Sequence, residues 1–193
     1  MATTNKVEKK VSIRLTGGHS FSLPAPDAKI EVVELLTHRT LLVPELMYTA
    51  DGAAESFAAA GMPLTPDDQV LPIHTNRGIM ALVALERTQL NQLTERYGEQ
   101  MRYTTPLLRA VGNIEPTIWI FDAEELIYIK VYDPKLQMAE VICISDEADR
   151  ELLMERLQCA CDPKRYTLRL ELSKADKGRI KWYKSYFKKT VCE

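Results

Sequence analysis

Apolar and polar residues alternate over 10–16, where Val11, Ile13 and Leu15 share one side, and this predicts a half-buried strand. Gly17-Gly18 predicts a tight turn, with Phe21 and Leu23 alternating on a return strand. Pro24-Ala25-Pro26-Asp27 breaks the pattern. The run 30–36 is apolar and β-branched enough for a third strand, with a short helix as the alternative. Thr40-Leu41-Leu42-Val43 reads as a compact buried strand stopped by Pro44. Alanine and leucine dominate 45–60, which reads as a helix opened by Glu45, weakened by Gly52 and closed by Gly61. Residues 69–74 and 79–85 read as strands joined through Thr75-Asn76-Arg77-Gly78, a turn sequence. A helix follows over 87–97, with Leu90 and Leu93 on one side and Gly98 just past its end. Residues 101–103 make a short strand. Thr105-Pro106 then pairs an N-cap with proline at the first helical position and predicts a short helix over 107–111.

Gly112-Asn113-Ile114-Glu115-Pro116 marks the domain boundary, giving regions 7–112 and 116–193. Beyond it, 117–121, 126–132 and 136–144 read as three strands linked by short turns. Ser145-Asp146-Glu147 can cap and charge the start of a helix whose apolar stripe is Ala148, Leu152, Leu153, Leu157 and Ala160. Asp162-Pro163 ends it. Tyr166, Leu168, Leu170 and Leu172 then alternate with Thr167, Arg169 and Glu171, so one side of this strand is expected to be solvated or thinly covered. Both halves open with a three-strand meander and move on to helix and strand. A duplicated meander-plus-crossover unit accounts for this, each sheet mixing antiparallel strands with a parallel crossover strand.

At 193 residues the chain can bury a real core, and 46% hydrophobic with 27% charged residues is ordinary globular composition. A formal net charge of -2 gives no global attraction to nucleic acid or acidic membranes. No apolar run approaches the ~20 residues that span a bilayer, and the first six residues lack a signal-peptide core, so a cytoplasmic protein with no membrane partner is expected. Cys143 reads as a small buried hydrophobe, and Cys159 and Cys161 point to different sides of a helix end. With no second close Cys or His pair, no zinc site and no other metal site is expected. His19, His38 and His74 are scattered and carry no ligand spacing.

The order strand, strand, strand, helix, strand over 116–172 resembles the opening of the ribonuclease-H-like half-domains of actin, sugar kinases and Hsp70. Arg39-Thr40-Leu41-Leu42-Val43-Pro44-Glu45-Leu46 runs into an alanine-rich helix, and Thr104-Thr105-Pro106-Leu107-Leu108 follows a strand–helix unit. With Val11-Ser12-Ile13-Arg14-Leu15, these stretches are similar to a bacterial domain-of-unknown-function family of the actin-like ATPase fold group. The resemblance implies an α/β fold with mixed sheets, built as an N-terminal actin-like lobe and a C-terminal ribonuclease-H-like lobe. Members of that family are longer, so the strands and helices after residue 172 are expected to be missing and the second lobe abbreviated. The resemblance brings no catalytic residues with it.

Actin-like ATPases place a strand-end aspartate beside small-residue turns, because backbone N–H groups must approach phosphate. Gly17-Gly18 has the glycines without an acid. Phe121-Asp122-Ala123-Glu124-Glu125 has the acid, Asp122, without the glycines, and its glutamates would repel phosphate. Plain β-turns are the better reading at both, and no cofactor is expected, with Mg-ATP at Gly17, Gly18 and Asp122 as the alternative. A two-metal nuclease could draw on Asp122, Glu151 or Glu155, and Glu171, residues that also fit solvated surfaces. The segment 174–193 carries six lysines and one arginine against one aspartate and one glutamate, interleaved with Trp182, Tyr183, Tyr186 and Phe187. It reads either as an amphipathic terminal helix covering the sheet, with Trp182, Tyr186 and Val191 leaning to one side, or as a docking helix for RNA or an acidic protein. Its partner-binding candidates are Lys181, Trp182, Lys184, Tyr186 and Lys188. The function expected is non-enzymatic interaction or assembly, with a protein partner or a homo-oligomer. A nucleotide-binding ATPase or phosphotransferase and an RNA-associated accessory protein are the alternatives.

Overall fold

The computed structural model describes residues 9–15, 30–112 and 115–193. The chain divides into two units, Met1–Leu108 and Arg109–Glu193. The boundary falls ahead of Gly112-Pro116 because Arg109 belongs to the second unit, where its guanidinium lies 4.0 Å over the Phe121 ring.

In the first unit the chain forms β1 (Lys10–Arg14), β2 (Val32–Leu36), β3 (Thr40–Pro44), α1 (Ala53–Ala59), β4 (Asp68–Ile73), β5 (Ile79–Glu86), α2 (Arg87–Tyr97) and β6 (Arg102–Thr104). The sheet β1-β2-β6 is parallel throughout, and β3-β5-β4 is antiparallel. The expected opening meander is therefore not what forms. β1 and β2 pair in parallel, and the connection between them is long enough for a crossover, which needs a dozen or more residues. The return strand with Phe21 and Leu23 lies outside the described residues. β5 is apolar on both sides for a structural reason. Met80, Leu82 and Ala84 pack with Phe57 of α1, while Ala81, Val83 and Leu85 pack with Leu93 of α2 and with Ile13, Val33 and Leu35. Burying each such large side chain contributes roughly 1.5–3 kcal/mol.

The helix expected over 45–60 breaks into a 3-10 turn at Glu45–Met47 and α1. Leu46 is 100% exposed and Met47 77% exposed, so the first stretch has no apolar side to bury, and packing is what holds a short helix. Gly52 becomes the N-cap of α1, and Gly61 takes φ 73 just past its end. The helix expected over 107–111 shortens to a 3-10 turn at Pro106–Leu108.

The second unit contains β7 (Thr117–Asp122), β8 (Leu126–Tyr132), β9 (Leu136–Cys143), α3 (Glu147–Ala160), β10 (Thr167–Leu172), α4 (Lys177–Tyr186) and β11 (Lys189–Cys192). Its five-stranded sheet runs β11-β10-β7-β8-β9. β7, β8 and β9 form the expected antiparallel meander, and β10 crosses back in parallel beside β7. Beyond Leu172 the sequence reading expected one tail helix on an abbreviated lobe. The chain instead adds α4 and then a fifth strand, with Thr190 and Val191 pairing Leu168 and Arg169 in parallel. Val191 thus belongs to a strand and not to the helix stripe. A β-branched segment covering the otherwise open edge of β10 is the physical reason.

One side of this sheet carries Ile118, Ile120, Ile127, Ile129, Leu168 and Leu170, packed under Leu153, Met154 and Leu157 of α3 and Tyr183 and Phe187 at α4. On α3 the buried positions are Arg150, Leu153, Met154 and Leu157, one stripe at helical spacing. Leu152, assigned to the stripe from sequence, is 56% exposed, because it lies two residues, about half a turn, from the inward-facing Arg150 and so points to the other side of the helix.

Candidate functional site

The carboxyl ends of β7 and β10 meet at Asp122 and Leu172, which are register partners. A cavity of about 420 Å³ opens there, lined by Asp122, Glu124, Ser173, Lys174, Lys177 and Arg179 among others. The strand ends of an open α/β sheet are where ligands of such folds commonly bind.

Asp122 is the centre of this site. Oδ2 accepts from Arg150 Nη1 at 2.7 Å and from the Tyr183 hydroxyl at 2.9 Å, and a second arginine, Arg179, approaches to 3.6 Å. Oδ1 accepts from the Glu124 backbone N–H at 2.9 Å. The Asp122 and Arg150 side chains are 5% and 4% exposed, so this is a buried pair. Its arginine also donates to the Glu124 carbonyl at 2.8 Å, and its Nε lies 3.7 Å from Glu147. Burial, reinforced by the adjacent carboxylate, pushes the Tyr183 phenol far above its usual range, so it stays a donor.

The hairpin that follows is closed by its own groups. Ala123 N–H donates to the Leu126 carbonyl at 2.9 Å. Glu124 sits in the left-handed region at φ 71, where glycine is the low-cost residue, and Lys174 pairs with its side chain at 2.6 Å. The turn therefore has the backbone shape of a glycine turn, with a carboxylate where a phosphate would need open space. Asp122, Glu124, Glu147 and Asp176 are matched around the cavity by Arg150, Lys174, Lys177 and Arg179, which leaves no strong net field for an anion or a cation. The start of α4 is capped as well: Asp176 Oδ1 accepts from the Gly178 and Arg179 N–H groups. A guanidinium stands where a metal would meet Asp122, and the backbone donors nearest it are engaged.

The nuclease triad is not assembled. β7 and β10 pair so that Glu171 lies opposite Phe121 and Leu172 opposite Asp122. Side chains alternate along paired strands, so Asp122 and Glu171 leave the sheet on opposite sides. Glu171 instead pairs with Arg109 and accepts from Trp119 Nε1 at 2.6 Å, beside Lys130, which lies 4.4 Å over the Trp119 ring. Glu151 and Glu155 are exposed on α3. No group of three His, Cys, Asp or Glu side chains suited to a metal is found among the described residues. Cys143, expected to be buried, is exposed at the end of β9, while Cys159 is exposed and Cys161 buried.

Gly17 and Gly18 lie outside the described residues, as does His19. Lys181, Lys184 and Lys188 are exposed, whereas Trp182 and Tyr186 are half-buried against the core, with ring centroids 4.9 Å apart. Sequence reasoning missed Arg150, the residue that decides the state of Asp122. The available signal was its place in the 150, 153, 154, 157 spacing. No described helix is long and apolar enough to cross a membrane.

No protein-family model matches this chain, and no curated protein matches it. Among solved structures it is similar to a Bacteroides thetaiotaomicron VPI-5482 protein with an actin-like ATPase fold and unknown function. That match covers 96% of this chain and 91% of the other, with a TM-score of 0.67 at 13% identity. The cytoplasmic domain of EpsL, an inner membrane component of the type II secretion system of Vibrio cholerae, matches over 75% of this chain and 63% of its own. Its TM-score is 0.39 at 14% identity, too low to bear on function. The mixed five-stranded sheet of the second unit, its strand–strand–strand–helix–strand order and the near full-length similarity agree: this chain has the actin-like ATPase fold.

Proposed function

We propose that this chain is a binding protein, acting through protein interaction or assembly on an actin-like scaffold, and not a phosphotransferase. The observation that carries this reading is the state of Asp122. A strand-end carboxylate suited to metal and phosphate chemistry is here closed into a buried pair with Arg150 and Tyr183. Freeing it would break that pair, at about 3–5 kcal/mol. Thermal unfolding with Mg-ATP tests the reading. A nucleotide bound at a hundredfold excess over its dissociation constant stabilises by about 2.7 kcal/mol, so an unchanged melting curve is expected and a saturable rise overturns the proposal. The binding half predicts a specific co-purifying protein or a homo-oligomer; a clean monomer with no partner counts against it.

The exposure of Lys181, Lys184 and Lys188 on one terminal segment favours a second reading, RNA association through 174–193. Lys181→Glu with Lys184→Glu should then abolish salt-dependent RNA binding. Unchanged binding removes this reading.

A further inference from the structure

We propose that the groove between β9 and α3 takes an extended segment of a partner protein, added to β9 as a sixth strand, with apolar residues flanking a basic one. β9 ends the sheet order, and among the described residues it pairs only with β8. The Ile144 N–H donates inward to the Glu125 carbonyl at 2.8 Å, which fixes the phase of the ladder. Ile142, Glu140 and Met138 therefore turn their backbone groups toward β8, and Ala139, Val141 and Cys143 turn theirs outward. Among the described residues nothing pairs with that outward row, and an eight-residue strand presenting such a row is a template for an added strand.

The side chains specify that strand. Beside β9 lies a groove of about 740 Å³ with Met138, Ile142, Leu153 and Leu157 along it and Leu152 at 56% exposure. Glu140 and Glu155 also line it against one arginine, Arg156, so its charge is acidic on balance, and neither glutamate has an ion-pair partner among the described residues. On the side facing α3, an added strand meets Met138, Glu140 and Ile142 in turn. That order calls for apolar, basic, apolar at alternate positions. A second copy of β9 fits poorly. The antiparallel register that matches Met138 with Ile142 sets Glu140 against Glu140, and like charges directly opposite are destabilising.

This deepens the binding-protein reading and rests on it; the Mg-ATP response tests that reading alone, so the two fail separately. The probe is a labelled peptide of about seven residues, alternating threonine with valine, lysine and valine, followed by anisotropy against the full chain. Binding is expected, weakened at least about tenfold by N-methylating the peptide amides that face β9, an arm that leaves the protein untouched. Val141→Pro removes an outward N–H without touching the β8 ladder and should weaken binding similarly while the circular dichroism spectrum is kept. Glu140→Lys should shift preference to the peptide with glutamate in place of its lysine. No binding, equal binding of the N-methylated peptide or of a helix-forming peptide of the same composition, or an unchanged Val141→Pro variant overturns the proposal. So does a dimer in solution that Val141→Pro dissociates, since the occupant would then be a second copy.

Discussion

Replacing Arg150 by methionine tests whether Asp122 is truly closed. The side chain is 4% exposed and makes two strong bonds, 2.7 Å to the Asp122 carboxylate and 2.8 Å to the Glu124 carbonyl. Methionine keeps much of the volume and removes the charge. Asp122 then keeps the Tyr183 hydroxyl and the Glu124 N–H, with Arg179 at 3.6 Å, but loses its buried counter-ion. Breaking a buried pair from one side costs about 3–5 kcal/mol, a large part of the ~5–15 kcal/mol that holds a domain. With a urea slope of about 2 kcal/mol per molar, the midpoint should fall by about 2 M. Trp119 and Trp182 are the only tryptophans and both lie in the second unit, so intrinsic tryptophan fluorescence reports this unit alone. Adding Asp122→Asn removes the stranded charge and should recover part of the loss, because replacing both members of a buried pair is far milder than orphaning one. A loss below about 1 kcal/mol, or a double variant as damaged as the sum of its parts, would refute the reasoning. Asp122 would then be open to a cation and the phosphotransferase reading would return.

Tyr183→Phe should cost about 2 kcal/mol by the same fluorescence measurement, because it removes a hydrogen bond to a buried carboxylate; a neutral variant means Arg150 alone holds Asp122. In the first unit, Arg39 donates to Asp68 at 2.6 and 2.8 Å, and with help from the Thr65 N–H and hydroxyl it holds that carboxyl at about 2, against an ordinary 3.8. A depressed carboxylate stabilises the fold above its unfolded value and loses that contribution as pH falls through its folded value. About 2 kcal/mol should therefore disappear between about pH 4 and pH 2, and Arg39→Met should flatten that part of the circular dichroism titration. An equal slope in the variant counts against the pair. Asp176→Ala should cost about 1 kcal/mol through loss of the α4 N-cap, seen as an earlier Trp182 transition; an unchanged midpoint means the cap contributes nothing.

Much of the local structure was legible in the sequence, because its causes are local. The alternation of β1 and β10, the start and stop of α2, and the turn at Gly78, which takes φ 70, follow from period, capping and glycine freedom. The absence of glycine after Asp122 is equally plain in the sequence, and the hairpin there closes on its own backbone and side-chain groups. The helix over 45–60 was misread because its alanines and leucines have propensity but Leu46 and Met47 have nothing to pack against.

What only the tertiary structure decided is which residues share a side. Asp122 and Glu171 are both strand residues near an end, and nothing local says that the β7–β10 register sends them to opposite sides of the sheet. Arg150 reads as one more surface charge on a helix until α3 lies over β7 and its guanidinium meets Asp122. β11 reads as the end of a helix until β10 offers it a free edge. Periodicity within an element is written in neighbouring residues. Register between elements is set by distant partners, and here it turns a candidate catalytic acid into half of a buried salt bridge.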